Sequence, residues 1–188
     1  MSYGLTRDEA LDLLKEYIKN PNMIKHCLAS EAVMEALADR LGQDREKWGL
    51  AGLLHDLDVE MVNADLNVHG LETEKILRDK GLDEDIIEAI RLHNEQAHGE
   101  KRSSLLHHAL AAGETITGLI IATTLVYPDK KINSVKPKSI KKRMKEKAFA
   151  ASVDRGIIME CEKLGLELDE FAPLCLAAMQ GIAEDLGL

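Results

Sequence analysis

Aromatic residues are scarce in this chain: only 3% of its 188 residues are Phe, Tyr or Trp. Its core must therefore be filled by Leu, Ile, Val, Ala and Met, within a hydrophobic share of 45%. Four prolines and scattered glycines leave long stretches uninterrupted, and no polar–apolar alternation runs far enough to make a strand. Helices are the expected secondary structure. Three cysteines, Cys27, Cys161 and Cys175, form neither a CxxC pair nor an even set, which argues against a disulfide framework and for a reduced, cytoplasmic compartment. The amino terminus lacks the basic stretch and apolar run of a signal peptide. The longest apolar stretch, residues 119–126, is too short to span a bilayer. Also missing are a P-loop, a dinucleotide-binding glycine motif, a nucleophile elbow, internal repeats and low-complexity tracts.

Positive charge is scarce except in one place. The net charge is −9. Residues 130–147 nevertheless hold nine Lys or Arg against one acid, Glu146, so this strip is +8 and the other 170 residues are −17. An acidic body argues against a general nucleic-acid binder. The strip can still meet something anionic, or it can be a solvated helix face. Within it Lys136 and Lys138 flank Pro137, which restrains the local backbone and could hold both amines toward a cleft.

What the chain does have is helical periodicity. At this length a single domain over 1–188 is expected, with enough residues to bury a core. Thr6 and Glu9 make a capping box for a helix over 7–19. Asn20-Pro21 opens a second helix that stops at Gly42. On it Met23, His26, Ser30, Val33 and Leu37 recur at helical spacing, which turns His26 inward. A third helix over 44–55 is anchored by Trp48. Gly52 in its interior costs up to about 1 kcal/mol against alanine, a cost that close approach of a neighbouring helix would explain. Further helices are expected over 71–80, from Asp83 to His93, over 105–126, from Ser139 to 151, over 153–164 and over 169–186. Residues 95–104 are expected as an exposed loop, with His98 in solvent.

Two features on these helices call for chemistry. The third helix ends on His55-Asp56, and a buried histidine and carboxylate need a proton-sharing network or a metal. Glu114 lies within the apolar stripe of the longest helix, where a buried carboxylate needs protonation, a cation or a metal. His69 and His93 sit at helix edges beside Gly70 and Asn94, positions that suit ligation and ordinary carbonyl capping alike.

The ordered set His26, His55-Asp56, His69, His93 and Glu114 resembles the HD superfamily of metal-dependent phosphohydrolases. The wording Leu-Leu-His-Asp-Leu-Asp is similar to its bacterial HDIG-like branch, although Leu57-Asp58-Val59 stands where that branch has Ile-Gly and often lysine. The resemblance runs over about 20–154, with the remaining helices, 155–188, expected to pack on that core. It implies an all-α, single-domain helical bundle. It also implies a divalent metal held by His26, His55, Asp56 and Glu114, where Gly113-Glu114-Thr115-Ile116-Thr117-Gly118 carries glutamate in place of the usual aspartate. His69 and His93 would hold a second ion bridged by Asp56, or contact phosphate, although His93-Asn94 replaces the usual histidine doublet. Nitrogen and carboxylate donors without thiolate suit Mn, Fe, Co, Ni, Zn or Mg, as one or two ions. Asp58 is a candidate for orienting the attacking water, and Lys136 and Lys138 for binding the substrate. The expected activity is hydrolysis of a nucleotide or other small phosphorylated metabolite by a metal-activated water. A di-iron oxygenase of the same superfamily and a non-catalytic nucleotide-sensing module are the alternatives. No membrane partner is expected, and a homo-oligomer is compatible with the sequence.

Overall fold

Two helices approach each other closely at Gly52. In the computed structural model, which describes residues 3–188, α2 (Pro21–Leu41) and α3 (Arg45–Leu54) form an antiparallel pair. A Cβ at Gly52 would lie 2.6 Å from the Ser30 carbonyl oxygen of α2. Only a residue without a side chain fits there, so the glycine expected to mark a close approach does so. The helix starts follow from local chemistry. Thr6 and Glu9 make a reciprocal capping box on α1 (Arg7–Tyr17), and Asn20 accepts from the Asn22 N–H to start α2 with Pro21 in its first turn. Asp44 accepts from Lys47 N–H at the head of α3.

After α3 the chain passes through consecutive turns to α4 (Leu71–Asp79), then α5 (Glu84–His93) and the single turn α6 (Glu95–His98). The central element is α7 (Leu105–Leu125), which packs on α2, α3 and α5. By length and composition α7 could cross a bilayer. The 119–126 estimate of the longest apolar stretch was therefore too short. Its buried residues run from Leu106 to Thr124, and it is enclosed by neighbouring helices as the core helix of the bundle. Beyond it come a 3₁₀ turn (Ile132–Ser134), α8 (Pro137–Lys145), α9 (Arg155–Ile158) running into a 3₁₀ segment (Met159–Leu164), α10 (Leu168–Gly181) and α11 (Ala183–Leu186). Among the described residues there is no strand. The expected all-α helical bundle is what the chain forms.

One hydrophobic core gathers side chains from Tyr3 to Leu186. Leu14, Ile18, Met34, Leu37, Leu53 and Leu54 are among its fully buried members. Each such aliphatic side chain contributes about 1.5–3 kcal/mol relative to exposure.

Three expectations for the chain after residue 94 need correction. Residues 95–104 are not simply an exposed loop. They begin with α6, and they bury Arg102, whose side chain is 6% exposed. The helix expected to run to residue 151 stops at Lys145. The guanidinium of Arg155 donates to the carbonyl oxygens of Phe149, Ala150 and Val153, holding residues 149–153 as a turn instead. The expected helix over 153–164 is split, because Asp154 caps only one α-turn before the backbone tightens to 3₁₀.

Candidate metal centre

Each histidine of the expected set arrives on a different element. His26 lies in the second turn of α2, and His55 ends α3. His69 precedes α4, and His93 closes α5. Asp56 follows His55 directly, and Glu114 comes from the middle of α7. His55, Asp56, His69 and His93 are buried, while the side chains of His26 and Glu114 keep partial access to a cleft.

The outer ring nitrogens are all engaged. His55 Nδ1–H donates to the Gly52 carbonyl at 2.8 Å, and His93 Nδ1–H donates to the Ile90 carbonyl. His69 Nδ1–H donates to Asp58 Oδ1 at 2.7 Å. The Thr117 hydroxyl donates to the Glu114 carbonyl, so its oxygen accepts from His26 Nδ1–H at 3.0 Å. With every Nδ1 serving as donor, every Nε2 is the nitrogen that faces inward.

Inward, the donors converge in two groups, His26, His55 and Glu114 on one side and Asp56, His69 and His93 on the other. The Nε2 atoms of His26 and His55 are 3.1 Å apart, and those of His69 and His93 are 3.0 Å apart. Asp56 lies between the groups. Its Oδ2 is 3.5 Å from His26 Nε2 and 3.4 Å from His55 Nε2, and its Oδ1 is 3.0 Å from His69 Nε2 and 3.6 Å from His93 Nε2. Glu114 Oε2 is 3.8 Å from His26 Nε2. Donors held about 2.1 Å from a common ion lie roughly 3.0–3.4 Å from one another, so the residues present fit a metal on each side of Asp56.

Electrostatics agree with that fit. Two imidazole lone pairs facing at about 3 Å repel unless a cation stands between them. Burial pushes His26 down and His55 down to about 3, so neither carries the missing charge at neutral pH. Burial raises Glu114 to about 8, with Asp56 adding to the effect and the Thr115 hydroxyl opposing it. In the second group burial disfavours protonation of His69, but the carboxylates of Asp56 and Asp58 outweigh it and lift the imidazole to about 10. A proton there occupies the place an ion would take. Burial raises Asp56, yet the imidazoles of His55, His69 and His93 hold it well below the usual carboxylate range.

The HD domain family profile matches residues 23–125, more than half of the chain and all six converging residues. The chain belongs to the HD domain family. The match is to the family as a whole and does not distinguish the HDIG-like branch. No solved structure matches the chain.

In this HD domain some expected roles change. Asp58 is fully buried and does not reach the cleft. Its Oδ2 accepts from the N–H groups of Gly70, Glu72 and Thr73, and its Oδ1 holds His69. It therefore caps α4 from a distance and positions His69, rather than orienting a water. Gly70, at φ +98, is the left-handed N-cap of α4 and has no side chain to do that work. Lys136 and Lys138 are exposed and do not line the cleft. Helix α8 turns Ile140 and Met144 into the core and leaves the lysines in water. His98 is not in solvent, since its Nε2 is buried without a hydrogen-bond partner, near Gly70.

Three contributors were missed. Asn94, in place of a second histidine, donates its amide to the carbonyl oxygens of Leu66 and His69 and ties the loop before α4 to the end of α5. Arg102 donates Nη1 to the carbonyls of Leu92 and His93 and pairs through Nε and Nη2 with Glu160. Residues 152–154, beyond the last of the expected donors, form a cleft wall. No local signal points to them, because Arg102 and Glu160 are 58 positions apart.

Proposed function

We propose that this HD-domain protein is a metal-dependent phosphohydrolase acting on a small phosphorylated metabolite, with nucleotides among the candidates. The observation that carries the reading is Asp56, whose two oxygens face two separate donor groups. A carboxylate so placed suits a pair of ions a few ångströms apart, the arrangement that serves in-line displacement at phosphorus. Divalent ions bound there would supply a hydroxide at neutral pH and positive charge against the phosphoryl oxygens.

The chain's own residues supply the rest. His26, His55 and Glu114 would hold one ion, and His69 and His93 the other, with Asp56 shared. Thr117, Gly52, Asp58 and Ile90 keep each imidazole in the tautomer that presents Nε2. His26, Asp56, His69, His93 and Glu114 all line one cleft of about 660 Å³, which leaves room for a small substrate. The substrate role expected for Lys136 and Lys138 has no support in this geometry, and neither is assigned one.

The test is elemental analysis of the purified protein beside a phosphate-release screen with Mn, Fe, Co, Ni, Zn and Mg added separately. Phosphate release that falls by orders of magnitude in Asp56→Ala supports the reading. Full activity in that variant ends it. Oxygen consumption without phosphate release would replace it with the oxygenase alternative.

A further inference from the structure

Beyond the metal-facing residues, Asn94 and Arg102 have their donors engaged, while several oxygens of the cleft are free to accept. The Ser152 hydroxyl, which can donate or accept, and one N–H of Gln96 are the free donors among its side chains. Both amide contacts of Asn94 are to carbonyl oxygens, at 2.8 and 3.0 Å, so its NH₂ is fixed there and its Oδ1 is left without a protein partner. Asn67 donates to the Asp65 carboxylate, which makes the Asn67 oxygen the acceptor for Gln96 Nε2 at 3.0 Å and leaves Gln96 Oε1 free. Asp154 uses Oδ1 to cap α9, accepting from Gly156 and Ile157, and its Oδ2 has no partner. Glu95 is matched by Lys101 and by the Arg102 N–H. Arg102 is the cleft's one Lys or Arg, and Glu160 neutralises it.

These facts select among phosphorylated compounds. No lysine and no Phe, Tyr or Trp lines the cleft. A nucleobase would find no aromatic face to stack on. A second or third phosphate would find no unmatched cation beyond the metal pair, and it would meet Asp154. A carbon skeleton bearing hydroxyls would find Asn94, Gln96 and Asp154 ready to accept.

We infer that the substrate is a phosphate monoester of a small polyhydroxylated skeleton, a sugar or polyol phosphate. The phosphate sits at the metal-facing residues, and the hydroxyls donate to Asn94 Oδ1, Gln96 Oε1 and Asp154 Oδ2. This rests on the phosphohydrolase reading and narrows it. In the reaction a water oxygen bonds to phosphorus, the ester P–O bond breaks, and the departing alkoxide takes up a proton from solvent, yielding the polyol and inorganic phosphate.

The experiment uses the full chain loaded with its best-supporting metal. It is assayed on sugar and polyol monophosphates, nucleoside monophosphates, nucleoside triphosphates and p-nitrophenyl phosphate. Polyol esters are expected to exceed every nucleotide in kcat/KM by about tenfold or more, as a site built to accept hydroxyl hydrogens should discriminate. Asp154→Asn keeps the α9 cap, since both residues cap well. It should lower the ratio of kcat/KM for the best polyol ester over p-nitrophenyl phosphate by about fivefold or more, through loss of a charged acceptor. Preference for a nucleotide, or an unchanged ratio in Asp154→Asn, overturns the inference while leaving the hydrolase reading intact. No turnover of any ester, p-nitrophenyl phosphate included, with any metal overturns both.

Discussion

Asp58 accepts the Nδ1–H of His69 at 2.7 Å and, with its other oxygen, three backbone N–H groups at the head of the helix that follows His69. One buried carboxylate thus fixes both the ring that faces the metal position and the helix that follows it. Asp58→Ala should lower metal affinity about 10–100-fold, as loss of such an outer partner typically does. The fold should lose about 1–3 kcal/mol from unsatisfied N–H groups. Metal titration and thermal denaturation of the variant measure the two effects. Unchanged affinity would show that His69 is not a ligand.

Glu114 stands where the resemblance leads one to expect an aspartate, and its Oε2 is 3.8 Å from His26 Nε2. Glu114→Gln should weaken metal retention at the His26–His55 pair. Glu114→Asp should preserve or strengthen it by restoring the shorter reach. Metal content after dialysis against a weak chelator reads both, and identical content in all three proteins would remove Glu114 from the donor set.

At pH 7 without metal, Glu114 at about 8 and His69 at about 10 both hold protons that an ion must displace. Metal uptake should therefore release protons, and affinity should rise with pH through 8 and toward 10. Stability of the metal-free protein should move the opposite way. Both groups have folded pKa values above their ordinary 6.5 and 4.5, so the folded state binds more protons than the unfolded state. Their contribution is fully present below those ordinary values, and it is lost as pH climbs through about 8 for Glu114 and 10 for His69. Calorimetric titration in buffers of different ionisation heat, and melting curves of metal-free protein from pH 6.5 to 9, test the pair of signs.

Gly52→Ala places a methyl 2.6 Å from a backbone oxygen of α2, which no rotamer change can relieve. The helices must separate, at a cost of about 1–3 kcal/mol. His26 and His55, one on each helix, should separate with them. The variant should melt lower and retain less metal. A variant with lower Tm but full metal content would show that the two histidines are not joined through one ion.

Much of this was legible in order along the chain. Helix starts at Thr6, Asn20, Asp44 and Asp83 are local hydrogen-bonding events between residues two or three apart, so a linear reading reaches them. His26, His55, Glu114 and the rest of the expected donor set could be named because helical periodicity and family resemblance both act residue by residue. The positioning role of Asp58 is not legible in sequence, since its partners at 70–73 depend on how the intervening turns fold. Lys136 and Lys138 were assigned to phosphate from charge and spacing alone, and α8 faces them elsewhere.

Composition, periodicity and resemblance suffice to read an all-helical chain with six candidate metal donors, because secondary structure and donor chemistry are local properties. Packing is what gives Asp56, grouped with His69 and His93, a second oxygen within 3.4–3.5 Å of His55 and His26. The same packing made Arg102 and Glu160 partners, and left several oxygens of the cleft free to accept. Those outcomes depend on which distant backbones approach one another, and on which hydrogen bonds that approach consumes before any substrate arrives.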